Sequence, residues 1–173
     1  MKNYLPNMYK ESIFTIPYDL LKEKGITLLL FDLDNTIAPA HMKMADEKVK
    51  HLFHALKDKG FTVVIFSNSP NKRVKPFSVF LEVSMNGLSF KPMQRSFKKI
   101  LKKYNTDKKS AAIIGDQLMT DIVGGNKAGI YTVLVNPITV KDMILTWYNR
   151  YKERKIFETL YKEEGFERGK YYE

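Results

Sequence analysis

The chain has 173 residues, 44% hydrophobic and 13% aromatic, which fits one folded domain and excludes an intrinsically disordered one. It has no cysteine, so a disulfide framework, a thiolate zinc site and a cysteine nucleophile are excluded. The net charge of +10 is concentrated in residues 70–109, where eleven Lys and Arg face only Glu82 and Asp107, a field that suits phosphorylated substrates, polyanions or anionic membranes, or else solvated helix faces.

The opening stretch, MKNYLPNMYKESIF, lacks the apolar core of a signal peptide. No run approaches the roughly 18 apolar residues of a membrane span, so a cytoplasmic protein is expected. Residues 1–25 read as a helical or irregular extension. The run ITLLLF then reads as a buried strand that ends on Asp32, with Asp34 one residue further on. A helix follows, with Asp46 as N-cap, Val49, Leu52, Phe53 and Leu56 on its apolar face, and Gly60 to close it. Its histidines, His51 and His54, read as a solvated or half-buried face rather than metal ligands. FTVVIFS is the second buried strand, and Ser69-Pro70 predicts an N-cap with proline at the first helical position. Pro76 predicts a kink or restart in that helix, and a short strand is expected near Leu81 to Met85.

After the loop SFKP, a helix carries Met93, Phe97, Ile100, Leu101 and Tyr104 on one face and lysines on the other. SAAIIGD is another buried strand ending on an aspartate. A helix spans Leu118 to Ala128 and stops at Gly129, and YTVLV is the last strand. The run GGNKAG lies at a helix end, so it reads as close packing and termination, not a phosphate cradle. Residues 140–173 form a second extension. Strands alternating with helices predict one α/β domain: a parallel sheet covered on both faces, with its core at about residues 26–137.

Ligand sites in open α/β sheets lie at the carboxyl ends of the strands. Asp32, Asp34, Ser67, Asn68 and Asp116 collect there, with Lys91 in the loop between. An extended Asp-x-Asp points both carboxylates to one side, about 6 to 7 Å apart, where they repel unless one is protonated or a cation sits between them. An all-oxygen site of this kind suits Mg²⁺, which keeps waters and substrate phosphate in its shell.

Taken together and in this order, DLDNT, FSNS, FKP and GDQLMTD resemble the four motifs of the haloacid dehalogenase-like (HAD) phosphohydrolases, over residues 26–137. The detail of GDQLMTDIVGGNKAG is similar to the subclass IIIA phosphatases, a branch that includes the phosphatidylglycerophosphate phosphatases and their bacterial relatives. The resemblance implies a three-layer, Rossmann-like HAD fold and a phosphomonoesterase that works through an aspartyl-phosphate. It implies Asp32 as nucleophile and Asp34 as acid and base, with Lys91 neutralising charge. Thr36 would brace the loop on the substrate side, while Ser67 and the amide near Asn68 would hold phosphoryl oxygens. Mg²⁺ would be held by Asp32, the Asp34 carbonyl and Asp116, with Asp121 orienting from behind.

The segments Thr36 to Asp46 and Asn68 to Lys91 are too short for the cap domain that such enzymes usually carry, so a capless enzyme is expected. A missing cap, the basic segment and the resemblance together favour a lipid or other bulky phosphomonoester at an anionic membrane surface, on the inner face. A phosphoprotein, nucleotide or sugar phosphate is the alternative. A nucleic-acid module on this scaffold is disfavoured, since it has no need for Asp32, Asp34, Lys91 and Asp116 together, and no specific nucleic acid is expected as partner. The aromatic and basic stretch MILTWYNRYKERK, with Trp147, Tyr148 and Tyr151, suits a membrane interface, or packing on the core or on a partner chain.

Overall fold

The computed structural model describes residues 2–139 and 155–173. In chain order these residues give β1 (Met8–Lys10), α1 (Tyr18–Glu23), β2 (Leu28–Phe31), α2 (Glu47–Asp58), β3 (Thr62–Phe66) and α3 (Asn71–Leu81). There follow β4 (Ser84–Asn86), α4 (Gln94–Lys103), β5 (Ala111–Gly115), α5 (Val123–Ala128) and β6 (Tyr131–Val135). The strands form one sheet in the order β1-β6-β5-β2-β3-β4, every pair parallel.

The apolar runs become central strands because both faces of the sheet are covered. Leu29, Phe31, Val63, Ile65, Ala112 and Ile114 pack on one side with residues of α1, α2 and α3, and Phe31 meets Phe53 at 4.7 Å between ring centres. Leu28, Leu30, Val64, Phe66 and Ile113 point the other way onto Phe97 and Ile100 of α4. Phe66 and Phe97 meet edge to face at 5.1 Å. Each such side chain removed from water contributes about 1.5–3 kcal/mol. Period-two alternation inside a continuous apolar run is what a buried parallel strand requires.

Several boundaries differ from the sequence reading. The N-terminal extension supplies β1, which pairs with β6 from Met8↔Val133 to Lys10↔Val135. On its outer side Tyr9 exchanges both backbone hydrogen bonds with Tyr172, at 3.1 and 3.0 Å. Pro70, not Ser69, is the N-cap of α3, and Pro76 lies inside that helix without ending it. Because α3 runs to Leu81 and turns through Glu82 in a left-handed conformation, β4 starts only at Ser84. Met93 is exposed and caps α4 rather than joining its apolar face. Leu118–Ile122 forms a wider π-type turn before α5.

Gly124 and Gly125 in α5 pack where a Cβ would strike Phe97 and Ile113, and Gly129 ends the helix at φ +75°, so GGNKAG is a packing and termination element. Among the described residues no helix is long and apolar enough to cross a membrane. None of the described loops between the strands holds an inserted domain. Residues 155–164 are helical, while Trp147, Tyr148 and Tyr151 of the aromatic stretch lie outside the described residues.

Candidate functional site

A parallel sheet brings the carboxyl ends of all its strands to one edge, and β5, β2 and β3 are neighbours. The segments leaving them therefore meet. Asp32 follows β2, Ser67 and Asn68 follow β3, and Asp116 follows β5. Lys91 comes from the loop after β4, and Asp121 from the π-type turn beyond β5.

Lys91 is the centre of the arrangement. Its Nζ donates to Oδ1 of Asp32 and to Oδ1 of Asp121, both at 2.6 Å, and its side chain is 1% exposed. Burial works against the Lys91 ammonium, but Asp121 and Asp32 more than offset it and hold its pKa above the ordinary lysine value. The loop that delivers Lys91 is pinned by Asn68. The Lys91 N–H donates to Asn68 Oδ1 at 2.7 Å, and Asn68 Nδ2 donates to the Lys91 carbonyl at 3.0 Å. The side chain of Asn68 thus positions Lys91 from across the sheet edge.

Oxygens of Asp32, Asp116 and Asp121 lie within 4.8 Å of one another, and all three residues are buried. Thr36 Oγ1 donates to Asp116 Oδ1 at 3.3 Å, and the Gln117 N–H donates to Asp121 Oδ2 at 3.2 Å. Gly115 makes room for this group: a Cβ there would stand 2.2 Å from Asp121 Oδ2. Burial pushes the Asp32 carboxyl up to about 7. Lys91 opposes the shift, and the Asp121 and Asp34 carboxylates add to it. With all three carboxylates ionised, Lys91 leaves the group two negative charges in excess. A hard divalent cation with oxygen preference fits that donor set and that charge.

Asp34 turns its carboxylate elsewhere. Oδ2 accepts from Ser69 Oγ at 2.5 Å, and Oδ1 accepts from Arg73 Nη2 at 2.9 Å and Nε at 3.3 Å. Ser69 is therefore taken from its expected capping role by Asp34. Arg73 also donates to the carbonyls of Ala40, at 3.1 Å, and Met42, and it lies over the Phe77 ring at 4.6 Å. Sequence reasoning missed Arg73 because it is one basic residue among many. The usable signal was its place in the first turn of the helix after FSNS. Ser67 is buried, and its Oγ accepts from the Ser69 N–H at 3.1 Å.

Of the basic segment, Lys72, Lys75 and Arg95 lie in the first turns of α3 and α4, beside this edge. The helices lead back toward the opposite edge, so Lys102, Lys103, Lys108 and Lys109 lie toward the far end of the sheet.

A family model described as HAD-hydrolase-like matches residues 90–138, the stretch from the Lys91 loop through β6. The chain is 35% identical over 159 residues to "Probable phosphatase YqeG" of Bacillus subtilis (strain 168), covering 92% of each protein. It is 24% identical over 150 residues to phosphatidylglycerophosphate phosphatase 1, chloroplastic/mitochondrial, of Arabidopsis thaliana, covering 78% of this chain and 41% of that protein. Among solved structures, the cobalt-bound deoxy-D-mannose-octulosonate 8-phosphate phosphatase of Haemophilus influenzae shares the fold, with a TM-score of 0.54 and 15% identity over 65% of this chain and 69% of that one. A Listeria monocytogenes serotype 4b protein does so with a TM-score of 0.53 and 18% identity, over 69% of this chain and 86% of that one.

Proposed function

Since this chain belongs to the HAD-like phosphatases, we propose that it hydrolyses a phosphomonoester through an aspartyl-phosphate on Asp32, with Mg²⁺ as cofactor. The observation that carries the reading is Lys91, buried and bridging Asp32 to Asp121 inside the carboxylate group. Asp32, Asp116 and the Asp34 carbonyl would hold the cation, and Asp121 stands close enough to join or orient them. When bound, the cation offsets the excess negative charge and draws substrate phosphate to the site.

Lys91 occupies Oδ1 of Asp32 and leaves Oδ2 as the attacking atom. The Asp32 oxygen bonds to phosphorus, and the bond from phosphorus to the leaving oxygen breaks. Asp34, whose carboxylate accepts from Ser69 and Arg73, would leave those contacts, take up a proton and supply it to this oxygen. A water then gives its proton to Asp34 and attacks phosphorus. The bond to Asp32 breaks, and inorganic phosphate leaves. Ser67 and the backbone beside Asn68 would hold the non-bridging oxygens, Thr36 braces Asp116, and Lys91 offsets the charge that develops in both steps.

For the substrate we favour phosphatidylglycerophosphate or another lipid or bulky phosphomonoester, acted on at an anionic membrane surface. The absence of an inserted cap among the described residues supports this, as does the similarity to the Arabidopsis enzyme. The test is phosphate release with Mg²⁺ from the lipid phosphate and from sugar, nucleotide and aryl phosphates, comparing wild type with Asp32→Asn. Turnover that collapses in Asp32→Asn is expected. Near wild-type turnover by that variant overturns the nucleophile, and preference for a soluble phosphate overturns the lipid reading.

A further inference from the structure

Ten large apolar side chains are exposed among the described residues, and five of them stand on two loops: Met42 and Met44 after β2, and Leu88, Phe90 and Met93 after β4. Only β3 separates those strands in the sheet, and both loops leave its carboxyl edge, where Asp32 and Lys91 lie. The two loops are fastened to the same short connection. The Leu88 N–H donates to the Ser69 carbonyl at 2.9 Å, while Arg73, four residues on, holds the carbonyls of Ala40 and Met42. The five side chains, 45–60% exposed, thus form two prongs that flank the end of β3 at the same sheet edge as the site.

The loop after β4 presents its side chains by an uncommon backbone. Leu88 has φ 49° and Phe90 φ 51°, a left-handed conformation that bulky side chains seldom adopt. Between them Ser89 is buried, and its N–H donates to the Ser67 carbonyl at 2.9 Å. The chain thus turns a serine inward and the two apolar side chains outward, against the usual preference for burial.

The surrounding charge says what covers them. Lys43 is exposed between the two methionines, Lys72 and Lys75 are exposed in the first turns of α3, and Arg95 is exposed in the first turn of α4. Asp46 and Glu47, where α2 begins, are the exposed acids beside the first prong. Apolar tips at an edge that also carries exposed lysine and arginine match a bilayer interface, in which apolar groups enter the acyl boundary and cations stay among anionic headgroups.

We propose that these two prongs insert into an anionic bilayer and seat the open edge of the sheet on the headgroups. The inference rests on the phosphatase site at this edge and deepens it, by naming the surface on which the enzyme works. The bilayer would exclude water from the site, the part that a cap plays in enzymes that have one.

The experiment is flotation of the full-length protein with vesicles of phosphatidylcholine alone and with added anionic lipid, at low and high salt. Leu88→Asn/Phe90→Asn removes the apolar tips with a residue that accepts positive φ, and Met42→Ser/Met44→Ser tests the other prong independently. Wild type is expected to float with anionic vesicles, and each double variant to lose about tenfold or more in partitioning. Both variants keep wild-type turnover of p-nitrophenyl phosphate and wild-type melting. No flotation of wild type on any vesicle overturns the proposal, and so does capture by a protein partner with vesicle binding absent. Flotation of both variants as strong as wild type overturns insertion and leaves only lysine attraction. Loss of p-nitrophenyl phosphate turnover in wild type overturns the phosphatase reading and leaves the flotation result standing by itself.

Discussion

Arg73 grips the Asp34 carboxylate with two nitrogens, at 2.9 and 3.3 Å, while also reaching the carbonyls of Ala40 and Met42. One guanidinium thereby fixes both the proposed acid and the loop that follows it. A planar fork can make this set of contacts, whereas an ammonium cannot.

Arg73→Ala and Arg73→Lys should therefore both misplace Asp34. Proton donation matters most when the leaving oxygen is a poor leaving group. Turnover of an alkyl phosphate should fall about 10- to 100-fold in either variant, while that of a dinitrophenyl phosphate changes little. Equal losses on both substrates would place the role of Arg73 in folding instead.

Asp32 opposes the folded state when no cation is bound. Its carboxyl rises from 3.8 to about 7 through burial, so the native chain holds that proton more tightly than the unfolded one. Stability is then fully present below about pH 4 and declines as pH rises through about 7. In chelator at pH 8, Asp32→Asn should melt several degrees above wild type, roughly 2–4 °C for each kcal/mol, with the gap closing toward pH 5. Mg²⁺ should raise the wild-type midpoint at pH 8 and have less effect on the variant. Melting curves across pH, with and without Mg²⁺, check both expectations.

Lys91→Met leaves Asp32 and Asp121 facing each other without their shared cation. The expected loss is about 3–5 kcal/mol at pH 8 and less at pH 5, where Asp32 takes up a proton. Phosphatase turnover should vanish. Denaturant unfolding at the two pH values measures the difference.

Gly115→Ala would drive a methyl group into Asp121, whereas Gly124→Ala meets the Phe97 ring at 2.7 Å, in the contact between α4 and α5. Both should destabilise by about 1–3 kcal/mol. Only the first should also weaken the thermal shift given by Mg²⁺. A titration of melting midpoint against Mg²⁺ for the two variants separates packing from site geometry.

Legibility in the sequence followed the strength of local signals. The central strands announced themselves as apolar runs, because a strand buried on both faces has no other composition open to it. Asp32 and Asp116 were readable at strand ends and Lys91 in a loop, and the structure gathers the three at one sheet edge. β1 was not, since MYK has neither length nor periodicity and becomes a strand only because β6 offers a free edge. Ser69 carries an ordinary capping signal, and its hydroxyl is claimed by Asp34, a partner 35 positions away. Arg73 failed for the same reason, since its contacts with Asp34, Ala40 and Met42 join a helix to a distant loop in a way that no spacing encodes.

The sheet tapers, with three-residue strands at both margins, β1 and β4. On β1 the outward backbone groups of Tyr9 are already taken by Tyr172. Neither margin offers the long row of free amides and carbonyls on which a second chain could extend the sheet. Among the described residues, even molecules held side by side at high local density therefore find no long strand edge at which a second sheet could be added.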